Sequence, residues 1–229
     1  MSKGIFIAGT GTDVGKTYIS AMFVKTMRDA GYHCGYYKAA VSGAGSIAES
    51  DAGYVNRTAA IGQDEKSLLS YLYKTPVSPH LAAQIEGNPL CMHKVEEDYK
   101  NVCAEYDFVV AEGSGGIVCP IRWDDEAHIL LEDIVKKLSL PVLVVADAGL
   151  GTINATVLTV HYLKEKQIPV IGIIVNHYEE KKMQDDNMKM IEALTGISVV
   201  AAVKHGDTDL HIPDNKLKQL FYMEDQQCN

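Results

Sequence analysis

Short runs of consecutive apolar residues alternate along this chain with longer stretches whose apolar residues recur every three or four positions. The short runs predict strands at 4–8, 35–39, 108–111, 142–146, 170–175 and 198–202. Several are apolar on successive residues, as expected for strands buried on both faces of a parallel sheet. The longer stretches predict helices at 16–30, 52–61, 95–105, 131–138, 153–166 and 182–194. In the first of these, Ile19, Met22, Phe23 and Met27 fall on one core-facing stripe. Such alternation predicts an α/β fold: a doubly wound, mostly parallel sheet flanked by helices and joined by right-handed crossovers. No internal repeat, low-complexity stretch or linker divides the chain, so residues 1–229 read as one domain. Ligands in such folds bind beyond the carboxyl ends of strands.

The first apolar run, Ile5-Phe6-Ile7-Ala8, feeds Gly9-Thr10-Gly11-Thr12-Asp13-Val14-Gly15-Lys16-Thr17 and then a helical pattern. A strand, a glycine-rich turn and Gly-Lys-Thr opening a helix make the phosphate-binding loop of nucleoside triphosphatases, so the fold is expected to be of P-loop type. Glycines let backbone N–H groups curl around a polyphosphate, and the helix adds the positive end of its dipole. Lys16 would reach the β and γ phosphates, and the Thr17 hydroxyl would ligate Mg²⁺. One detail departs from the usual spelling. The register G-x-x-x-x-G-K-[ST] would put its first glycine at Thr10, whereas Gly9 stands one residue earlier.

Composition narrows the class further. The chain is 47% hydrophobic and 22% charged, ordinary for a globular protein with a full core. A formal net charge of -9 argues against nucleic acid or an anionic membrane as partner. No apolar run approaches the roughly 20 residues that cross a bilayer, and the chain enters a strand almost at once, so neither a membrane span nor a signal peptide is expected. Cys34, Cys91, Cys103, Cys119 and Cys228 are scattered without C-x-x-C pairs and read as reduced thiols, mostly packing residues, of a cytoplasmic protein.

The remaining candidates follow the later strands. Lys38, in Tyr37-Lys38-Ala39-Ala40-Val41-Ser42-Gly43, reads either as a solvated charge or as a holder of a phosphoryl group or anionic substrate. Glu112, in Glu112-Gly113-Ser114-Gly115-Gly116, ends an apolar run and is placed to meet Mg²⁺, while the small residues let backbone pass close to a ligand. Asp51, beside Ser50, is a helix N-cap candidate or a second metal-side carboxylate. In Asp147-Ala148-Gly149-Leu150-Gly151-Thr152-Ile153-Asn154, free amides at a helix start could bind a carboxylate, or Thr152 could simply cap the helix. Asn176-His177 could recognise a base or close a turn; without an Asn/Thr-Lys-x-Asp run for guanine, ATP is the default nucleotide. His80 is structural or pocket-lining, and Trp123 with Asp124-Asp125-Glu126 reads as packing beside a solvated helix start. No histidine spacing suggests zinc.

Together these segments resemble the ATP-dependent dethiobiotin synthetases. The matching pieces are the loop from Gly9 to Thr17, Tyr37-Lys38 with Ser42-Gly43, Ser50-Asp51-Ala52, Ser78-Pro79-His80 and Glu112-Gly113-Ser114-Gly115-Gly116. Leu140-Pro141-Val142, the run from Gly149 to Asn154, and Val175-Asn176 complete the set in family order. The loop's extra residue between Gly9 and Gly15 is itself the family's spelling. The resemblance implies use of ATP and Mg²⁺ to close a cyclic urea on 7,8-diaminononanoate with CO₂. It implies that Lys16 and the amides from Asp13 through Val14 and Gly15 to Thr17 hold phosphates, with Gly113, Ser114 and Gly115 along the nucleotide. Thr12 would lie near the reacting end of the substrate, and Thr17, Asp51 and Glu112 around Mg²⁺. Lys38 would stabilise the carbamate and the incoming phosphoryl group, Ser42 would touch substrate, and Asn176 with His177 would face adenine. A homodimer is implied, its partner subunit lending the helix start at Gly151, Thr152 and Asn154 to the substrate carboxylate. Two departures stand out: Ala39 where the family often has proline, and Val203-Lys204-His205-Gly206 in place of an Ile-Pro segment. A nucleotide-switch ATPase of the partitioning or septum-positioning type is the alternative. That group carries a second lysine early in its loop where this chain has Gly11, and the stretch from Lys216 to Tyr222, followed by Glu224 and Asp225, makes a poor membrane-binding helix.

Overall fold

The computed structural model describes residues 3–221; Cys228 and the tail positions Tyr222, Glu224 and Asp225 lie outside the described residues. In chain order its strands are β1 (Lys3–Gly9), β2 (Cys34–Ser42), β3 (Leu69–Tyr73), β4 (Phe108–Gly116), β5 (Pro120–Trp123), β6 (His128–Leu130), β7 (Val142–Asp147), β8 (Val170–Asn176) and β9 (Val199–Ala202). The helices are α1 (Lys16–Asp29), α2 (Asp51–Thr58), α3 (Glu65–Leu68), α4 (Pro79–Glu86), α5 (Met92–Glu105), α6 (Leu131–Lys137), α7 (Thr152–Glu165), α8 (Lys182–Thr195) and α9 (Asp214–Gln219). Seven strands join in the order β3-β2-β4-β1-β7-β8-β9, and their pairings are parallel. This is the expected doubly wound α/β sheet.

Its centre is apolar for a physical reason. Ile5, Phe6, Ile7 and Ala8 of β1 are all buried, because helices cover both faces of a parallel sheet. The predicted stripe on α1 packs inward: Ile19, Met22, Phe23 and Met27 are buried. The chain fills the β4, β2 and β3 side first and then crosses β1 to lay down β7, β8 and β9. The strand order therefore reverses at β1, where such sheets bind ligands. Among the described residues no helix is long and apolar enough to cross a membrane.

All six predicted strands lie in the sheet, and the differences are instructive. The strand β3, Leu-Ser-Tyr-Leu-Tyr, lacks a branched apolar run and sits at the sheet edge, half-buried on alternate residues. β2 continues to Ser42 and β4 to Gly116, so Ser42 and Glu112 stand within strands, not after them. Alanines and glycines do not stop a ladder made by backbone groups: Lys38 pairs with Glu112, and Gly9 with Gly116. The acidic cluster after Trp123 is the turn of the β5–β6 hairpin, not a helix start. Asp124 Oδ1 accepts the backbone N–H groups of Glu126 (2.9 Å) and Ala127 (2.8 Å), which closes that turn. Trp123 stacks on His128 with ring centroids 4.1 Å apart and stays half exposed instead of packing into the core.

Candidate active site

β1 delivers the chain to the loop through its buried run, and Thr10 N–H then bonds Val145 O at 2.9 Å. Left-handed backbone at Asp13 (φ 61°) and Gly15 (φ 89°) curls the loop onto the start of α1. Two glycines are sterically required here. A Cβ on Gly9 would meet Gly11 O, the Lys16 side chain and the Val14 side chain, each at 2.9 Å, which explains the glycine one residue early. A Cβ on Gly15 would lie 2.1 Å from Asn176 Nδ2. That Asn176 amide donates to Val14 O at 3.1 Å, so the end of β8 braces the loop from below. Lys16 Nζ donates to Gly11 O at 2.8 Å.

Opposite the loop lies a charge cluster in which Lys38 and Glu112 are buried and Asp51 is half exposed. Lys38 Nζ donates to Asp51 Oδ2 and to Glu112 Oε1, both at 2.6 Å. The Thr17 hydroxyl donates to Glu112 Oε1 at 2.8 Å, and the Tyr36 hydroxyl to Glu112 Oε2 at 2.9 Å. Ser50 caps α2 by accepting from Gly53 N–H at 3.4 Å, which leaves the neighbouring Asp51 carboxylate to Lys38. Burial alone would lower the Lys38 ammonium, but Glu112 and Asp51 outweigh it and hold it above the usual lysine value. Burial likewise pushes Asp51 up, yet Lys38 brings it below the usual carboxylate range. Lys16 is lowered by burial and then by repulsion from Lys38. Burial and the Glu112 charge raise the Tyr36 hydroxyl, which stays a donor.

Loop and cluster line one cavity of about 410 Å³, walled by Thr12, Asp13, Gly15, Lys16, Thr17, Lys38, Ser42, Asp51, Glu112, Gly113, Ser114 and Gly115. A family model described as an AAA domain matches residues 3–208. An ATP-dependent dethiobiotin synthetase BioD from Brachyspira hyodysenteriae is 48% identical over 222 residues, covering 96% of this chain and 100% of that protein. One from Clostridium botulinum strain Alaska E43 is 43% identical over 226 residues, covering 96% and 99%. The chain belongs to the ATP-dependent dethiobiotin synthetase family. The family assignment drawn from its motifs is thereby borne out, and with it an ATP-dependent ligase of biotin synthesis. Two solved structures are similar at low identity. The MinC:MinD cell division complex of Aquifex aeolicus matches with TM-score 0.57 at 14% identity, over 89% of this chain and 81% of that one. A ParA family ATPase from Chlorobium tepidum matches with TM-score 0.56 at 13% identity, over 96% and 89%. These show the fold alone.

Other residues singled out in this synthetase family member lie apart from the cavity. Val14 faces the core behind the loop. His177 lines a second cavity of about 340 Å³ with Asp147, Glu179, Gln184 and His205. Its Nδ1 lies 2.6 Å from Asp147 Oδ2 and its Nε2 3.2 Å from Asn176 Nδ2. Gly151, Thr152 and Asn154 start α7 outside both cavities; Thr152 faces Thr156 at 3.4 Å and makes no side-chain cap. His80 lines a third cavity of about 260 Å³ with Arg122 and Trp123. Of the thiols, Cys34 and Cys119 are buried packing residues, whereas Cys91 is exposed. Burial pushes the Cys119 thiol up to about 11, which disfavours the thiolate. Sequence reasoning passed over Tyr36. Its signal was its place two residues before Lys38, which sets both side chains on one face of β2.

Proposed function

We propose that this chain closes the ureido ring of 7,8-diaminononanoate with CO₂, with ATP as phosphoryl donor, releasing dethiobiotin, ADP and phosphate. The observation that carries the reading is the single cavity into which both Lys16 and Lys38 project. One amine of the substrate adds to CO₂ and loses a proton, giving a carbamate. A carbamate is a poor electrophile because its anionic oxygen would have to leave. Transfer of the γ-phosphoryl group to that oxygen breaks its bond to ADP and makes a mixed anhydride; the second amine attacks its carbon and loses a proton, the C–O bond breaks, and phosphate departs. Phosphoryl transfer asks mainly for positioning and charge neutralisation, and two lysines supply both. Lys16 and the loop amides from Asp13 to Thr17 hold the triphosphate. Two of the three Lys38 ammonium protons are engaged by Asp51 and Glu112, and the third is free to meet the carbamate.

Thr17, Asp51 and Glu112 fit Mg²⁺: the donors are all hard oxygens, and the two carboxylates already hold one cation between them, the Lys38 ammonium. The metal, when bound, neutralises phosphate charge. Thr12 sits near the reacting end of the substrate and Ser42 touches it, while Gly113, Ser114 and Gly115 pass along the nucleotide. Asn176, with His177, faces adenine. Gly151, Thr152 and Asn154 serve the partner site of a homodimer, where the start of α7 receives the substrate carboxylate. Their position outside the main cavity and the exposure of Leu150 and Leu158 beside them support this. The domain spans residues 1–229 and works in the cytoplasm.

Mass spectrometry of a reaction with purified protein tests the proposal. Dethiobiotin should form with diamine, bicarbonate, ATP and Mg²⁺ together and disappear when any one is left out. ATP hydrolysis stimulated by lipid or DNA, with no dethiobiotin, would replace the ligase reading with a nucleotide switch.

A further inference from the structure

The two oxygens of Glu112 have different partners. Oε1 accepts from Thr17 and Lys38, whereas among the described residues Oε2 accepts only the Tyr36 hydroxyl, at 2.9 Å. Tyr36 has no exposed surface, and its ring rises on the same face of β2 as Lys38. Its backbone is pinned as well. Gln63 Oε1 accepts Tyr36 N–H at 3.0 Å, and Gln63 Nε2 donates to Tyr36 O at 2.9 Å. β3 pairs with β2 only from Lys38 onward, so this carboxamide takes the place of a missing strand neighbour. Gln63 is in turn held by Asn56, through bonds of 2.9 and 3.1 Å. The phenol that reaches Glu112 is therefore fixed at both ends.

We propose that Tyr36 is a positioning residue: its hydroxyl sets the rotation of the Glu112 carboxylate so that Oε1 faces Thr17 and the metal-bound nucleotide. The inference rests on the reading of Thr17, Asp51 and Glu112 as the magnesium side of the site. The terminal torsion of a glutamate is broad and nearly two-fold, so nothing within Glu112 itself selects one orientation. Without the phenol, Oε2 is a buried acceptor with no donor, and the group turns to share Thr17 and Lys38 between its oxygens. Hydrogen-bond partners that orient a ligating carboxylate are typically worth about 10–100-fold in metal affinity or activity.

The test is Tyr36→Phe, which keeps the ring and removes only the donor. Calorimetry would measure affinity for a non-hydrolysable ATP analogue with Mg²⁺ and with EDTA, beside thermal melting of the ligand-free protein. The gain in affinity that Mg²⁺ confers should shrink about tenfold or more, with affinity in EDTA unchanged. A wild-type gain in Y36F, or an equal loss with and without Mg²⁺, overturns the proposal, because a merely structural tyrosine would act on both conditions. Glu112→Gln separates the two readings. If E112Q loses the Mg²⁺ gain while Y36F keeps it, positioning fails and the metal assignment stands; if E112Q keeps the gain, the metal assignment itself falls. In the E112Q background, adding Y36F should change the Mg²⁺ gain no further, and an additional loss there would also refute the role.

Discussion

On either side of β1, the carboxyl edge of the sheet carries an acid–base pair, and both pairs close at 2.6 Å. Toward β2 and β4, Lys38 and Glu112 have side chains only 4% and 0% exposed. Toward β7 and β8, His177 and Asp147 remain 48% and 43% exposed. Equal distances thus conceal unequal energetics. Removing one partner of a buried pair typically costs about 3–5 kcal/mol, whereas exposed pairs contribute roughly 0–1 kcal/mol. The desolvated side is where phosphoryl and carbamate oxygens would meet fixed charge. The wetter side touches the phosphate loop through the neutral Asn176 amide, which donates to Val14 O.

Lys38→Met should have the largest effect, lowering dethiobiotin formation about 100-fold or more in the mass-spectrometric assay. It should also destabilise the fold by roughly 3–5 kcal/mol in denaturant melts, because Glu112 loses its counter-charge. Adding Glu112→Gln should restore stability without restoring product; near-normal turnover by either variant would remove Lys38 from the chemistry.

Next comes Gly15→Ala, at the point where the two sides touch. Its Cβ would fall 2.1 Å from Asn176 Nδ2 on left-handed backbone. The strain, about 1–3 kcal/mol, should weaken ATP-analogue binding by roughly tenfold in calorimetry. Pairing it with Asn176→Ala should recover part of that loss, and no recovery would mean the collision is not the cause.

His177→Ala should matter least, changing nucleotide affinity less than about fivefold. A loss as large as that in Lys38→Met would erase the distinction between the two sides of β1.

Legibility followed locality. The loop from Gly9 to Thr17 was readable because its residues act within one turn, and even the early Gly9 has a local cause in three close neighbours. Lys38, Asp51 and Glu112 could be picked out one by one. Their mutual contacts could not, because Lys38 meets Glu112 through the register of strands 74 residues apart. The extent of β4 was hidden because Gly113-Ser114-Gly115-Gly116 carries the composition of a turn while its backbone keeps pairing. Tyr36 looked like one more core residue of a strand, since nothing local announces that a phenol will end on a carboxylate. Asn176 was noticed as an amide beside a possible base site; its bond to Val14, 162 residues away, depends on tertiary placement.

The Gln63 carboxamide has a consequence for how the molecule keeps to itself. Ahead of Lys38, the outer side of β2 has no strand neighbour among the described residues, and bare N–H and C=O groups there would offer a template for another chain to add to. By bonding both backbone groups of Tyr36, with Arg28 donating to Cys34 O at 3.3 Å, two side chains blunt that edge against the addition of a foreign strand.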